Sequence, residues 1–165
     1  MRRARAIIGS SVFFVGAPSV VAGLVPWWFT RWKTRQPPSW APLWALGVAL
    51  VVAGVGVLLL AFARFVVEGS GTPAPIAPTE HLVVGGLYRY VRNPMYLAVE
   101  AIILGQALAF GYLALLWYAA LVLVAFVAFV RGYEEPALAR RFGASYETYR
   151  HAVPAWWPRL HPWVP

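Results

Sequence analysis

The chain contains no cysteine, which removes disulfide frameworks, thiol nucleophiles and cysteine-based metal sites together. Charge is scarce as well: of 165 residues only 12% are Asp, Glu, Lys or Arg, while 61% are hydrophobic. The apolar runs are far longer than a soluble domain of this size would bury, so the composition places the chain among integral membrane proteins. Negative charge is the scarcer sign, six acidic residues against fourteen Lys and Arg, for a formal net charge of +8. Nearly all the positive charge is arginine near the ends of apolar segments, a pattern suited to anionic lipid headgroups. Nucleic acid is not an expected partner, because no long soluble basic surface exists to track a phosphate backbone. His81, His151 and His161 fall outside the apolar segments, which leaves intramembrane haem ligation and an HExxH zinc site without ligands, so no metal is expected. Also missing are GxGxxG after a strand and GxxxxGK[ST], the marks of the usual soluble nucleotide-binding domains.

What is present predicts an all-α, polytopic membrane protein with four transmembrane helices and short cytosolic C-terminal helices. It forms a single domain, residues 1–165, with a two-span hairpin over 1–68 and a second half over 69–165. Met1 to Arg5 is a basic arm, and Ala6 to about Val25 is the first run long enough to cross a bilayer. A cleaved signal peptide also begins this way; the length of the run, the lack of a small-x-small cleavage site and the spans that follow favour an uncleaved anchor. Pro18 and Pro26 are positioned to kink or end this helix. The connector from Trp27 to Trp44 is rich in tryptophan, proline and cations, which suits an interfacial turn. A second span runs from about Ala41 to Val67, longer than a bilayer requires, and Arg64 and Glu68 near its end either emerge into the headgroups with the last turns or pair at i, i+4. After the Gly/Pro loop from Gly69 to Pro78, a third span runs from Pro94 to about Phe110 and a fourth from about Leu113 to Val130, joined by a tight turn at Gly111. Lys and Arg concentrate on the side that holds both termini and the middle loop, and only Arg31, Lys33 and Arg35 lie opposite. The positive-inside rule therefore predicts cytoplasmic termini, as in a bacterial or archaeal inner membrane.

The stretch GGLYRYVRNPMYLAVE, Gly85 to Glu100, concentrates polar groups at the start of the third span. Pro94 suits a first helical turn, where its missing N–H would be unpaired anyway. From there Asn93, Tyr96 and Glu100 recur at intervals of three and four, on one face. Glu100, about two turns inside an apolar helix, is costly unless it faces a bundle interior or a wet cavity, either as a functional group or as a protonated acid bonded to a neighbour. Gly105 and Gln106 fit close helix packing or cofactor approach. Arg89 and Arg92 are placed either for function or to snorkel to headgroups. Past the fourth span, Glu134 and Glu135 can accept from hydroxyl or ammonium groups, or cap the next helix and offset nearby arginines. The residue before Pro136 is biased away from helical geometry, which predicts a helix break there. Gly143 then suits a C-cap, Ser145 an N-cap, and Trp156, Trp157 and Trp163 an interfacial anchor.

These residues carry a resemblance. GGLYRYVRNPMYLAVE, followed after a hydrophobic hairpin by EEPALARRFGASYETYRHAVPAWWP, resembles the isoprenylcysteine carboxyl methyltransferase and phospholipid methyltransferase superfamily of membrane enzymes. The resemblance covers about His81 to Pro158 and implies S-adenosylmethionine as cofactor. It implies an acceptor that is lipid-like or small and hydrophobic, either the carboxylate of an isoprenylcysteine-like compound or the amine of a phospholipid. Arg92, Asn93, Pro94 and Tyr96 match its R[HN]PxY element, Glu134 and Glu135 its acidic pair, and Phe142, Gly143, Tyr146 and Tyr149 its FGxxYxxY element. The expected donor-binding set is Tyr88, Arg92, Asn93, Tyr96, Gly105, Gln106, Glu134, Glu135, Tyr146 and Tyr149, with Glu100 and Arg92 in catalysis. Asn93 stands where several members carry histidine, and Ala98 where glycine is frequent. An NADPH-dependent enzyme like the sterol reductases, which share a related C-terminal half but are much larger, is an alternative, and a non-enzymatic four-span protein is another. Oligomeric state is not legible.

Overall fold

A computed structural model describes residues 16–35, 41–69 and 81–164. Residues 6–15 of the expected first span, 36–40 of the connector and 70–78 of the Gly/Pro loop lie outside the described residues. Every regular element among those described is helical.

The first helix does not end near Val25. It carries a π-helical turn, Val20–Leu24, and continues as α1 (Val25–Thr30), stopping at Arg31 in the left-handed region with φ 48°. A proline inside a helix lacks the N–H for the carbonyl four residues back and its ring crowds that carbonyl. Widening the turn, so that the Val25 N–H reaches the Val20 carbonyl, lets Pro26 pass. The Ala22 carbonyl, left without its usual donor, accepts instead from Gln106 Nε2 at 2.6 Å, and the neighbouring Val21 carbonyl accepts from the Tyr118 hydroxyl at 2.9 Å.

The long helices are α2 (Ala41–Gly69), α3 (Pro94–Phe110) and α4 (Leu113–Phe129). Helix α3 is central: it packs most extensively on α2 and next on α4, with the first helix against it as well. Ten of its seventeen residues are buried. The α2 and α3 backbones nearly touch, since a Cβ on Gly105 would lie 2.6 Å from the Gly47 carbonyl and one on Gly47 would lie 2.6 Å from the Gly105 carbonyl. Close crossing through small residues is a membrane-helix device, where packing rather than water expulsion holds helices together. Gly111, at φ 72°, caps α3 and starts the tight turn into α4.

The outer faces are apolar and bare. Leu113, Trp117, Leu121 and Val124 of α4 and Val52, Leu59 and Leu60 of α2 are all at least 60% exposed. Such rows suit hydrocarbon, not water. The sequence predicts four spans; among the described residues two stretches, Ala41–Arg64 and Leu113–Phe142, have the length and composition to cross a membrane. At seventeen residues α3 is about 25 Å long, at the short limit for a span.

The expected break at Pro136 does not occur. Helix α4 runs through a second π-helical turn, Val130–Glu134, into α5 (Glu135–Phe142), and Glu135 keeps helical angles with its N–H on the Val130 carbonyl. The device is the one that passes Pro26. Gly143, at φ 53°, ends α5 and also precedes α6 (Ala144–Ala152), so Ser145 sits inside the first turn and is not the cap.

The tail turns back along the 89–92 stretch. Arg92 N–H donates to the Pro154 carbonyl, Arg159 N–H to Tyr90 and Trp163 N–H to Arg89, at 2.9–3.0 Å. Of the three tryptophans expected to anchor together at an interface, only Trp157 is largely exposed, at 81%. Trp156 lies against Tyr96, and Trp163 against Tyr149 at 5.5 Å between ring centres.

Candidate functional site

Two sequence-distant segments meet at one end of the bundle. The first, residues 81–93, includes a 3₁₀ turn, Gly86–Arg89, and is pinned to α2 by the Gly85 N–H on Glu68 Oε2 at 2.9 Å, while Glu68 Oε1 pairs with Arg64 at 3.1 Å. The second is the run from the π-helical turn through α5 and α6. Between them lies an open-mouthed cavity of about 60 Å³, walled on its polar side by Tyr88, Arg92, Asn93, Glu134, Glu135, Tyr146 and Tyr149.

Arg92 holds the two segments together. Its Nη1 donates to Glu135 Oε1 at 2.8 Å and to the Tyr146 hydroxyl at 3.0 Å, in a pair whose side chains are 12% and 18% exposed. Partial burial of this kind makes charge-assisted bonds stronger than their surface counterparts. Tyr96 donates to Glu134 Oε2 at 3.0 Å, and Tyr149 donates to the Tyr88 carbonyl at 2.7 Å. Burial pushes the phenols of Tyr88, Tyr146 and Tyr149 above the ordinary tyrosine range; for Tyr88 the neighbouring Tyr149 adds to it, while for Tyr146 and Tyr149 Arg92 pulls the other way. All three therefore stay neutral at physiological pH.

Two buried donors in this wall, Arg92 Nε and Asn93 Nδ2, have no hydrogen-bond partner among the described residues. Unpaired buried polar groups are rare and costly. With paired carboxylates beside them, they form a site able to hold a molecule carrying both an acid group and a cation.

Of the residues predicted from sequence, Tyr88, Arg92, Asn93, Glu134, Glu135, Tyr146 and Tyr149 are brought together here, with Tyr96 reaching in through Glu134. Gly105 and Gln106 are not: Gly105 lies in the crossing with α2, and Gln106 is spent on the Ala22 and Ile102 carbonyls. Glu100 lies one helical turn below Tyr96, buried at 7% exposure and outside the cavity wall. The apolar side of the wall, Leu82, Val83, Val130 and Leu138, was not anticipated. Spacing alone could have found part of it, since Leu138 is three residues after Glu135 and Val130 four before Glu134, on the same helical face.

No curated protein and no solved structure gives a significant match to the chain. A comparison with protein families does: residues 43–145, well over half the chain and spanning α2 to the start of α6, match the phospholipid methyltransferase family, and the chain belongs to that family.

Proposed function

We propose that the chain is a membrane-embedded methyltransferase that draws its methyl group from S-adenosylmethionine held in this cleft and passes it to a lipid-like or small hydrophobic acceptor. Family membership supports methyl transfer at a membrane. The observation that carries the donor assignment is the cluster of Arg92, Asn93, Glu134 and Glu135 around one cavity, with two buried donors left over.

The residues fit the donor by charge and by hydrogen-bonding type. With all three ionised, two glutamates against one arginine leave the wall with one net negative charge. S-adenosylmethionine carries a carboxylate, an ammonium and a sulfonium, a net single positive charge. Arg92 Nε and Asn93 Nδ2 can donate to the carboxylate, and Glu134 and Glu135 can accept from the ammonium or from ribose hydroxyls. NADPH, with its several phosphate charges, would meet the glutamate pair as a repulsive wall. At about 60 Å³ and open at its mouth, the cavity suits the charged end of the donor, with the remainder extending through the mouth.

When bound, the donor supplies a methyl group already activated by the sulfonium charge. The chain has to orient it and exclude water. Leu82, Val83, Val130 and Leu138 provide the dry wall, and the neutral tyrosines close it without adding charge. A four-span arrangement with cytoplasmic termini would put the cleft at the inner leaflet, where a soluble donor meets an acceptor that stays in lipid. The Arg35 N–H on the Phe110 carbonyl at 2.9 Å supports this polarity, because it gathers the sparse cations 31–35 at the Gly111 turn, away from the arginine-rich end.

The test is isothermal titration of the detergent-purified protein with S-adenosylmethionine, S-adenosylhomocysteine and NADPH. Heat from S-adenosylmethionine and none from NADPH is expected. Binding of NADPH alone, or of no ligand, overturns the reading.

A further inference from the structure

The sequence holds six acidic side chains, and none reaches the end of the bundle where α1 stops. Glu68 is bonded to Gly85, Glu134 and Glu135 stand in the cleft wall, and Glu147 pairs with Arg150 in α6. Glu80 is two residues before Leu82 of the cavity wall, which ties it to within about 8 Å of that wall along the chain. Glu100 comes nearest the far end, and it still precedes Phe110 by about 15 Å of helix.

Three cations occupy the end that the acids leave empty. Arg31, Lys33 and Arg35 are all exposed, and the Arg35 N–H on the Phe110 carbonyl fixes the group beside the Gly111 turn. Both arginines are stacked on rings: Arg31 lies 4.6 Å from the Trp27 ring centre and 5.6 Å from that of Trp28, and Arg35 lies 4.5 Å from that of Tyr112. The Tyr112 hydroxyl donates to the Thr30 carbonyl at 3.3 Å, so the ring under Arg35 is fastened to the residue before Arg31. Buried Thr30 donates its hydroxyl to the Pro26 carbonyl and accepts the Trp32 N–H, which holds Arg31 and Trp32 at φ 48° and 54°. Two successive left-handed residues with full side chains are unfavourable and persist only where the surroundings impose them.

A guanidinium stacked on a ring uses its face and leaves the N–H groups in its plane for an acceptor, in a fork that matches phosphate oxygens. With no carboxylate of this chain in reach, the anion that balances these three charges comes from outside it. The surroundings say which kind. Trp28 and Trp32 are 68% and 62% exposed, and α4 starts beside them with Leu113 and Trp117 bare at 69% and 75%. Exposed tryptophans at a helix end belong at headgroup level, and the bare rows that begin there suit acyl chains. A soluble anion would gain nothing from that apolar surface, and a zwitterionic headgroup would bring an ammonium against three cations. We propose that Arg31, Lys33 and Arg35 form a binding site for the phosphate of an anionic phospholipid, at the end of the bundle away from the cleft. This site does not depend on what the cleft binds.

The experiment adds phosphatidylglycerol or phosphatidylcholine in mixed micelles to the detergent-purified full chain and follows the first lipid retained, across a concentration series, by native mass spectrometry. Phosphatidylglycerol should bind and phosphatidylcholine should bind far more weakly. One cation near an anionic headgroup is worth about fivefold in affinity, so Arg31→Gln with Arg35→Gln should lose about thirtyfold. Lys33→Gln, which disturbs neither ring stack, should lose about fivefold and serves where the double variant fails to fold. Arg140→Gln with Arg141→Gln removes as much charge from exposed positions of α5 at the other end and should bind as the unaltered protein does. Glycerol phosphate at the lipid's concentration should not displace it. Equal retention of the two lipids, full retention by either variant of the 31–35 group, an equal loss in the Arg140 and Arg141 variant, or displacement by glycerol phosphate would each overturn the proposal.

Discussion

The two ends of α3 are held by opposite means. Toward Phe110 the helix is fixed by contact, with Gly105 pressed against Gly47 so closely that no side chain fits, and with Gln106 satisfied on both its bonds. Toward Pro94 it is fixed by polar tethers to other segments, Arg92 to Glu135 and Tyr146, and Tyr96 to Glu134. The contact end has spent its polar groups. The tethered end keeps two buried donors in reserve, Arg92 Nε and Asn93 Nδ2. Close packing and polar tethering thus hold opposite ends of α3, and under the proposed donor site substitutions at each end should fail in different assays.

Arg92→Ala should have the largest effect. It strips Glu135 and Tyr146 of their partner and removes a donor from the cleft. Bonds to charged groups are worth about 1.5–3 kcal/mol, so donor affinity should fall on the order of a hundredfold in titration. Thermal unfolding in detergent should show the helices still assembled. Unchanged affinity in both Arg92→Ala and Glu135→Ala would move the donor site elsewhere.

At the contact end, Gly105→Ala should destabilise the protein by about 1–3 kcal/mol, because the obstructing atoms are backbone and cannot swing aside. A lower unfolding midpoint with normal affinity per folded molecule is the expected pair of results. The reverse pair, normal stability with weakened donor binding, would abolish the division between the two ends. Tyr96→Phe should do least, since it releases a single bond to Glu134 and leaves that carboxylate on the cavity wall, changing donor affinity severalfold.

How much of this was legible depended on how local each signal was. Pro94 and Gly111 bracket α3 in the sequence and bracket it in the structure, because a proline at the first turn and a glycine past the last are steric demands a helix cannot evade. The convergence of Arg92 and Asn93 with Glu134, Glu135, Tyr146 and Tyr149 was anticipated through a family resemblance rather than through periodicity. The passage of the chain through Pro26 and Pro136 was not anticipated. Whether a proline breaks a helix or is absorbed by a π-helical turn depends on neighbouring helices that take up the freed carbonyls, as Gln106 does for Ala22, and no local pattern records that. The tethering of the tail was not legible for a related reason: its tryptophans have the composition of a membrane anchor, and nothing in the spacing records that the Arg159 and Trp163 N–H groups donate to Tyr90 and Arg89. Of the two alternatives for Glu68, pairing with Arg64 is found; its second bond, from the Gly85 N–H seventeen residues on, left no trace in the spacing.

Those tail bonds also impose an order of assembly. Arg89 Nε reaches the Trp163 carbonyl across 74 residues of chain, and Arg92 cannot find the Pro154 carbonyl until every helix between them has been made. The tethers that fasten residues 89–92 can therefore close only after the ribosome has delivered the segment that follows α6.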